Sequence, residues 1–187
     1  LASDSNKAVT IATESTENGA NVQIENYLDL PSQEFNLIRD SSGYYEIVAV
    51  NSGKRLDVCG WDNGANIEQW VENKNSDSQK WVIKKNSNGN YNIISKRNNL
   101  HLTVHNSILE HGTNIEGYKE NNDAGQEFKL EKVNKIEEGT YKISLANSSS
   151  QTITVANGKK ENGANIEIRK DANRGYQQFK IKYTDQG

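Results

Sequence analysis

A motif of the form Gln-x-aromatic occurs four times in this chain, pairing Gln33 with Phe35, Gln79 with Trp81, Gln126 with Phe128 and Gln177 with Phe179. Ahead of each lies an Asn-centred turn: NGAN at 18–21 and 63–66, HGTN at 111–114, NGAN at 162–165. Gly and Asn tolerate positive φ, so each of these reads as a tight turn leading into a strand. Upstream again stand short β-rich pieces: VTIA from Val9, RLDV from Arg55, HLTV from His101 and TITV from Thr152. Three copies open with a further Gly-Tyr strand, from Gly43, Gly89 and Gly139. Each unit is therefore four short strands separated by turn chemistry, with no helical period, and the chain is expected to be all-β.

The repetition also decides what the composition means. An apolar share of 33% and a mean hydropathy of −0.88 would by themselves permit disorder. A disordered chain, however, has no reason to keep apolar residues in register over four copies. Residues 1–37 align without a gap on 145–181, an offset of 144, or three units of about 48. The larger period is thus three repeats, and the fourth copy begins a new round.

Four-strand units of this size ending in Gln-x-Trp resemble the ricin-type lectin repeat and the bacterial carbohydrate-binding modules of the same group. The resemblance covers essentially the whole chain and implies a β-trefoil, with about three and three-quarter repeats present in residues 1–187. A trefoil needs only three. Residues 41–183 contain three complete units and are the expected contiguous trefoil, leaving 1–40 as a partial repeat that ends an upstream trefoil. Alternatively 1–40 completes a 1–144 trefoil, with the strand from Gly139 standing in for the one missing at the start. The polar linker 131–138 is the longest between units and favours a boundary there.

In the ricin-type family a working unit carries an Asp on its second strand, a polar residue and a stacking aromatic on its third, and a polar pair before the final aromatic. By that resemblance the second copy supplies a carbohydrate site from Asp57, Glu68, Trp70, Ser78 and Gln79. The residue chemistry agrees. Glu68 and Trp70 are two apart, so a strand projects them from one face. The C–H face of a sugar packs on an indole while its hydroxyls donate to carboxylates. Gln or Asn is commoner in the family where this chain has Glu68 and Ser78, which leaves sugar identity open. The third copy offers a weaker second site, with Thr103 in the Asp position but Glu116 and Tyr118 retained. The first and fourth copies, with Thr10 and Thr154 there and Glu25 and Arg169 for the aromatic, are expected to be scaffolding. Each Gln is expected to hold a loop by hydrogen bonds, with its aromatic partner in the core. Trp61 could either wall the pocket or cover a strand end.

Other classes are disfavoured. A net charge of −3 gives no basic footprint for nucleic acid, and no apolar run is long enough for a membrane-inserted helix. His101 and His105 are four apart, which on a strand separates them by roughly 13 Å, too far for one metal ion. No nucleophile motif or phosphate loop is present, so neither enzymatic activity nor a cofactor is expected. The single Cys59 excludes an internal disulfide and is expected to be a small buried hydrophobe. A chain without Met that begins at Leu1 reads as a processed or excised segment. The resemblance implies a secreted, extracellular lectin module binding galactose, lactose or N-acetylgalactosamine and joined to other domains of a hydrolase, toxin or haemagglutinin. The alternative is a trefoil used for protein–protein contact, as an assembly subunit or inhibitor.

Overall fold

A computed structural model describes residues 1–133 and 138–182. Its regular elements are strands and single three-ten turns, with no α-helix among the described residues. The chain divides into two compact units, Leu1–Val133 and Asn134–Gly187.

In the first unit, repeat one contributes β1 (Lys7–Ile11), β2 (Ala20–Asn26) and β3 (Phe35–Arg39). Repeat two contributes β4 (Tyr45–Ala49), β5 (Arg55–Cys59), β6 (Ala65–Trp70) and β7 (Trp81–Lys85). Repeat three has β8 (Tyr91–Ser95), β9 (His101–Val104) and β10 (Ile115–Tyr118), and closes through a bridge between Tyr91 and Phe128. Within each repeat the middle strands form a hairpin: β1 with β2, β5 with β6, β9 with β10. The outer strands are laced antiparallel, β3 to β4, β4 to β7 and β7 to β8. This is a β-trefoil.

Strand alternation sends one face of every hairpin inward. Ile11, Val22, Ile24, Leu56, Val58, Ile67, Leu102, Val104 and Ile115 are all at or near zero exposure. Trp81 is also fully buried, its indole Nε1 donating to Leu56 O at 3.1 Å, and Phe128 lies in the same core. On the approximate threefold axis the last Asn of each turn meets its counterparts in a closed ring. Asn66 Nδ2 donates to Asn21 Oδ1 (3.0 Å), Asn21 Nδ2 to Asn114 Oδ1 (2.9 Å) and Asn114 Nδ2 to Asn66 Oδ1 (3.0 Å). Residues expected only to make turns are also the polar keystone of the three repeats.

The grouping of repeats differs from the expected 41–183 trefoil. Strands β3 and β4 pair from Phe35–Ala49 to Arg39–Tyr45 across a tight loop in which Asp40 N donates to Tyr44 O (2.8 Å). A domain starting at residue 41 would cut this hairpin, whose closure is among the least costly in entropy because it is local. The 1–144 variant also differs from what is found. Gly139–Tyr141 forms β11 and pairs with Phe179–Ile181 of its own repeat. Instead, the amino terminus itself ties repeat one to repeat three. The Leu1 ammonium donates to Lys7 O (2.8 Å) and Ala2 N to Glu127 O (3.2 Å).

The second unit holds β11, then β12 (Ser144–Leu145), β13 (Ser148–Val155), β14 (Ile166–Lys170) and β15 (Phe179–Ile181). Strand β13 pairs with β12 and β14, and β11 with β15. Parts of the linker (134–137) and the last residues (183–187) lie outside the described residues.

Candidate functional site

On β5, Leu56 and Val58 face the core, so Asp57 and Cys59 face the other way. Cys59 is accordingly an exposed free thiol, not the buried hydrophobe expected from its apolar neighbours. The two-residue period overrides the side chain's own preference. Across the hairpin Asp57 stands directly opposite Glu68, and Trp70 follows two residues on, 41% exposed.

Asp57 is held from beneath. Gln79 is 2% exposed, and its amide makes three hydrogen bonds nearby. Nε2 donates to Asp57 Oδ2 (2.9 Å) and to Val71 O (3.0 Å), while Oε1 accepts from Asn73 N (2.8 Å). The same clamp recurs in every copy, with Thr10, Thr103 and Thr154 hydroxyls accepting from Gln33, Gln126 and Gln177. Only in repeat two does the clamp fix a carboxylate. Ser78 is 3% exposed, with its hydroxyl 2.5 Å from that of Ser76. Ser78 and Gln79 therefore lie below the surface, and the groups presented to solvent are Asp57, Glu68 and Trp70.

The opposition of two carboxylates has an electrostatic consequence. Burial, and then the charge of Asp57, push the Glu68 carboxyl above its ordinary value. Around the base of β5, Arg55 bridges Glu46 (3.2 Å) and Glu72 (3.0 Å), and Lys80 reaches Glu46 (2.9 Å) and Asp40 (3.4 Å). Burial works against the Glu46 charge, but hydrogen bonds from Lys80 and Arg55 outweigh it and hold the carboxyl below its usual value. This network fastens β4, β5 and β7 behind the site.

Repeat one supplies a wall that the sequence of repeat two could not reveal. Asn18 Oδ1 accepts from Val71 N (3.0 Å) and Gly19 N donates to Gln69 O (2.9 Å). A Cβ on Gly19 would lie 3.5 Å from Trp70 Cζ3 and 3.9 Å from Glu68 Oε2. Gln69 is fully buried, donating to Ser15 O and Glu17 O and accepting from Ser52, so it locks that same turn in place. Trp61 is 64% exposed, with the Arg97 guanidinium 4.3 Å from its ring centroid.

Repeat three carries a formed hollow of about 110 Å³. Thr103, Glu116 and Tyr118 line it, together with Ser107, Asn121 and Asp123, which sequence reading passed over. Asp123 stands three residues before Gln126, as Ser76 does before Gln79, and each accepts a backbone hydrogen bond at the start of its turn. That shared spacing was the available signal. Glu116 Oε2 lies 2.9 Å from His105 Nδ1, and Asp123 accepts from Ser107 Oγ (2.5 Å). Thr103 is 4% exposed and donates to His101 O (2.8 Å), so its hydroxyl is committed to the protein. At that volume the hollow is well short of the space a drug-sized ligand fills.

Three repeats around a ring of asparagines, with an acid-and-indole surface on one hairpin, define a trefoil of the lectin type. The chain belongs to the ricin-type β-trefoil lectin domain-like family, whose model matches residues 2–70, 31–118 and 77–169. Among solved structures it is similar to the designed threefold-symmetric protein ThreeFoil, at 30% identity and a TM-score of 0.68, over 71% of this chain and 96% of that one. It is also similar to a mosquitocidal holotoxin (22% identity, TM-score 0.66), over 98% of this chain but 22% of the other. A third likeness is to 1,3Gal43A, an exo-β-1,3-galactanase from Clostridium thermocellum (23%, TM-score 0.60), over 70% of this chain and 31% of the enzyme. No curated protein sequence matches it.

Proposed function

We propose that the chain is a carbohydrate-binding module that directs a secreted hydrolase or toxin to glycans bearing galactose-type sugars. The observation that carries this reading is the Asp57 carboxylate, clamped at Oδ2 by Gln79 and set beside the half-exposed face of Trp70. A sugar ring laid on the indole can donate hydroxyls to Glu68 and to an Asp57 that its clamp already orders, which lowers the entropic cost of binding. The galactose series is favoured by family membership together with the galactanase likeness, and the holotoxin and galactanase supply the two kinds of parent. The hollow in repeat three is a second, weaker site of the same class. A shallow surface with one stacked ring binds weakly, so two sites on one chain are useful for avidity.

Retention on immobilised galactose, lactose and N-acetylgalactosamine tests the reading. Asp57→Ala removes a charge-assisted acceptor and should weaken retention roughly ten- to a hundredfold. Trp70→Ala should do the same through lost stacking. Unchanged retention in both variants, each with the native circular dichroism, would overturn the assignment. A protein-contact role would leave partner binding insensitive to an excess of free galactose.

A further inference from the structure

The fourth repeat has the same local build as the first. Strands β13 and β14 pair in the register that β1 and β2 use, with Val155 opposite Ile166 and Ile153 opposite Ile168, as Ile11 faces Val22 and Val9 faces Ile24. Its clamp is complete, Gln177 Nε2 donating to Thr154 Oγ1 (3.1 Å) and Lys170 O (3.0 Å). What differs is what covers it. Val22 and Ile24 are at 0% exposure, while Ile166 and Ile168 are each 52% exposed. Asn165, the counterpart of Asn21, is exposed as well and takes no part in a ring. Among the described residues of this unit the buried ones are Thr152, Thr154 and Gln177, all polar; no buried apolar residue lies beyond Phe128. A segment this short, with its apolar face in water, has no core of its own.

We propose that the Ile166 and Ile168 face of β14, with Asn165 just ahead of the strand, is one third of a second trefoil core, and that it docks two further ricin-type repeats joined downstream of it. The chemistry of the occupant follows from repeat one. Each incoming repeat must bring an Asn side chain, to close a ring with Asn165, and aliphatic residues on its middle hairpin to cover Ile166 and Ile168. The source follows from the same comparison. In the first unit the repeats that bury Val22 and Ile24, by pairing β2 with β6 and bridging Gln23 to Asn114, come after them along the chain. Covalent connection makes that closure intramolecular, at a high effective concentration that separate copies would lack. The proposal is independent of sugar binding.

Because 145–181 aligns without a gap on 1–37, residues 38–133 of this sequence appended after Ile181 continue the fourth repeat in register. Hydrogen exchange compares the β13 and β14 amides in the extended and the 187-residue chains, with sedimentation giving the oligomeric state of each. The extended chain is expected to be monomeric, with those amides protected at least about tenfold more strongly than in the parent. Ile168→Asp in the extended chain should abolish the gain while leaving the exchange of the β1 and β2 amides, which belong to the first unit alone, unchanged. Equal protection in parent and extended chains overturns the proposal. So does a 187-residue chain that sediments as a trimer with β14 already protected, since the missing repeats would then come from neighbouring copies.

Discussion

Breaking the asparagine ring should give a stability pattern that no set of independent side chains can produce. The ring has three hydrogen bonds, each joining two of Asn21, Asn66 and Asn114 at 2.9–3.0 Å. Replacing any one Asn by Ala removes two bonds, replacing a second removes the remaining one, and replacing the third removes none. With a net value of about 1 kcal/mol per bond between part-buried neutral groups, the successive losses are about 2, then 1, then 0 kcal/mol. The triple variant thus loses about 3 kcal/mol, where additivity of the single variants would require about 6. Any cost from the volume removed is incurred at each site separately and cancels in the coupling term. Urea unfolding followed by intrinsic fluorescence suits the measurement, because Trp81 is fully buried and reports on the first unit. A constant slope across the series keeps the comparison within one transition. Single-variant losses that simply sum in the triple variant would refute the closed ring.

Four other outcomes follow from the same geometry. Glu68→Gln should stabilise the fold by a few tenths to about 1 kcal/mol at neutral pH, because it removes a like charge opposite Asp57. Since the Glu68 pKa is raised, the gain should appear as pH rises through that value and vanish in acid; an equal gain at pH 3 would contradict this reading. His101 is lowered from its ordinary value by burial, so its contribution is complete above about 6.5 and is lost as pH falls through its folded value. Glu46, also lowered, gives a second loss below about 4.3. The urea midpoint should therefore fall in two stages between pH 7 and 3, and His101→Gln should remove the first; a flat profile from 7 to 5 would refute the assignment. Gly125→Ala should cost about 1–3 kcal/mol by overpacking, since its Cβ would stand 2.5 Å from Ser107 Oγ and 3.0 Å from Val104 O. Gly89→Ala, with nothing within 4 Å, should cost only about 1 kcal/mol for its positive φ. Thermal melts would rank the two. The fifth is the loss of glycan retention expected for Asp57→Ala and Trp70→Ala.

Much of this molecule was legible because its information is local. The recurring Gln-x-aromatic located the clamps, and all four work alike, with Trp81 and Phe128 deep in the core. Strand alternation in RLDVC put Asp57 on the outer face, and taken one residue further it places Cys59 there too, against the apolar look of its neighbours. Spacing also paired Glu68 with Trp70. What spacing could not show is which of the named site residues are buried. Ser78 and Gln79 sit on a turn whose packing depends on strands far away in sequence.

The amino-acid order by itself determined the repeat unit, the inward and outward faces of each hairpin and the residue types at each clamp, since these depend on neighbours a few positions apart. Tertiary structure decided which copies combine, because four units with nearly the same local pattern are equivalent until long-range pairing separates them. Val22 and Ile166 occupy matching positions, yet one is sealed and the other is half in water. What seals Val22 is the pairing of β2 with β6 and the bridge from Gln23 to Asn114, contacts made with residues far along the chain.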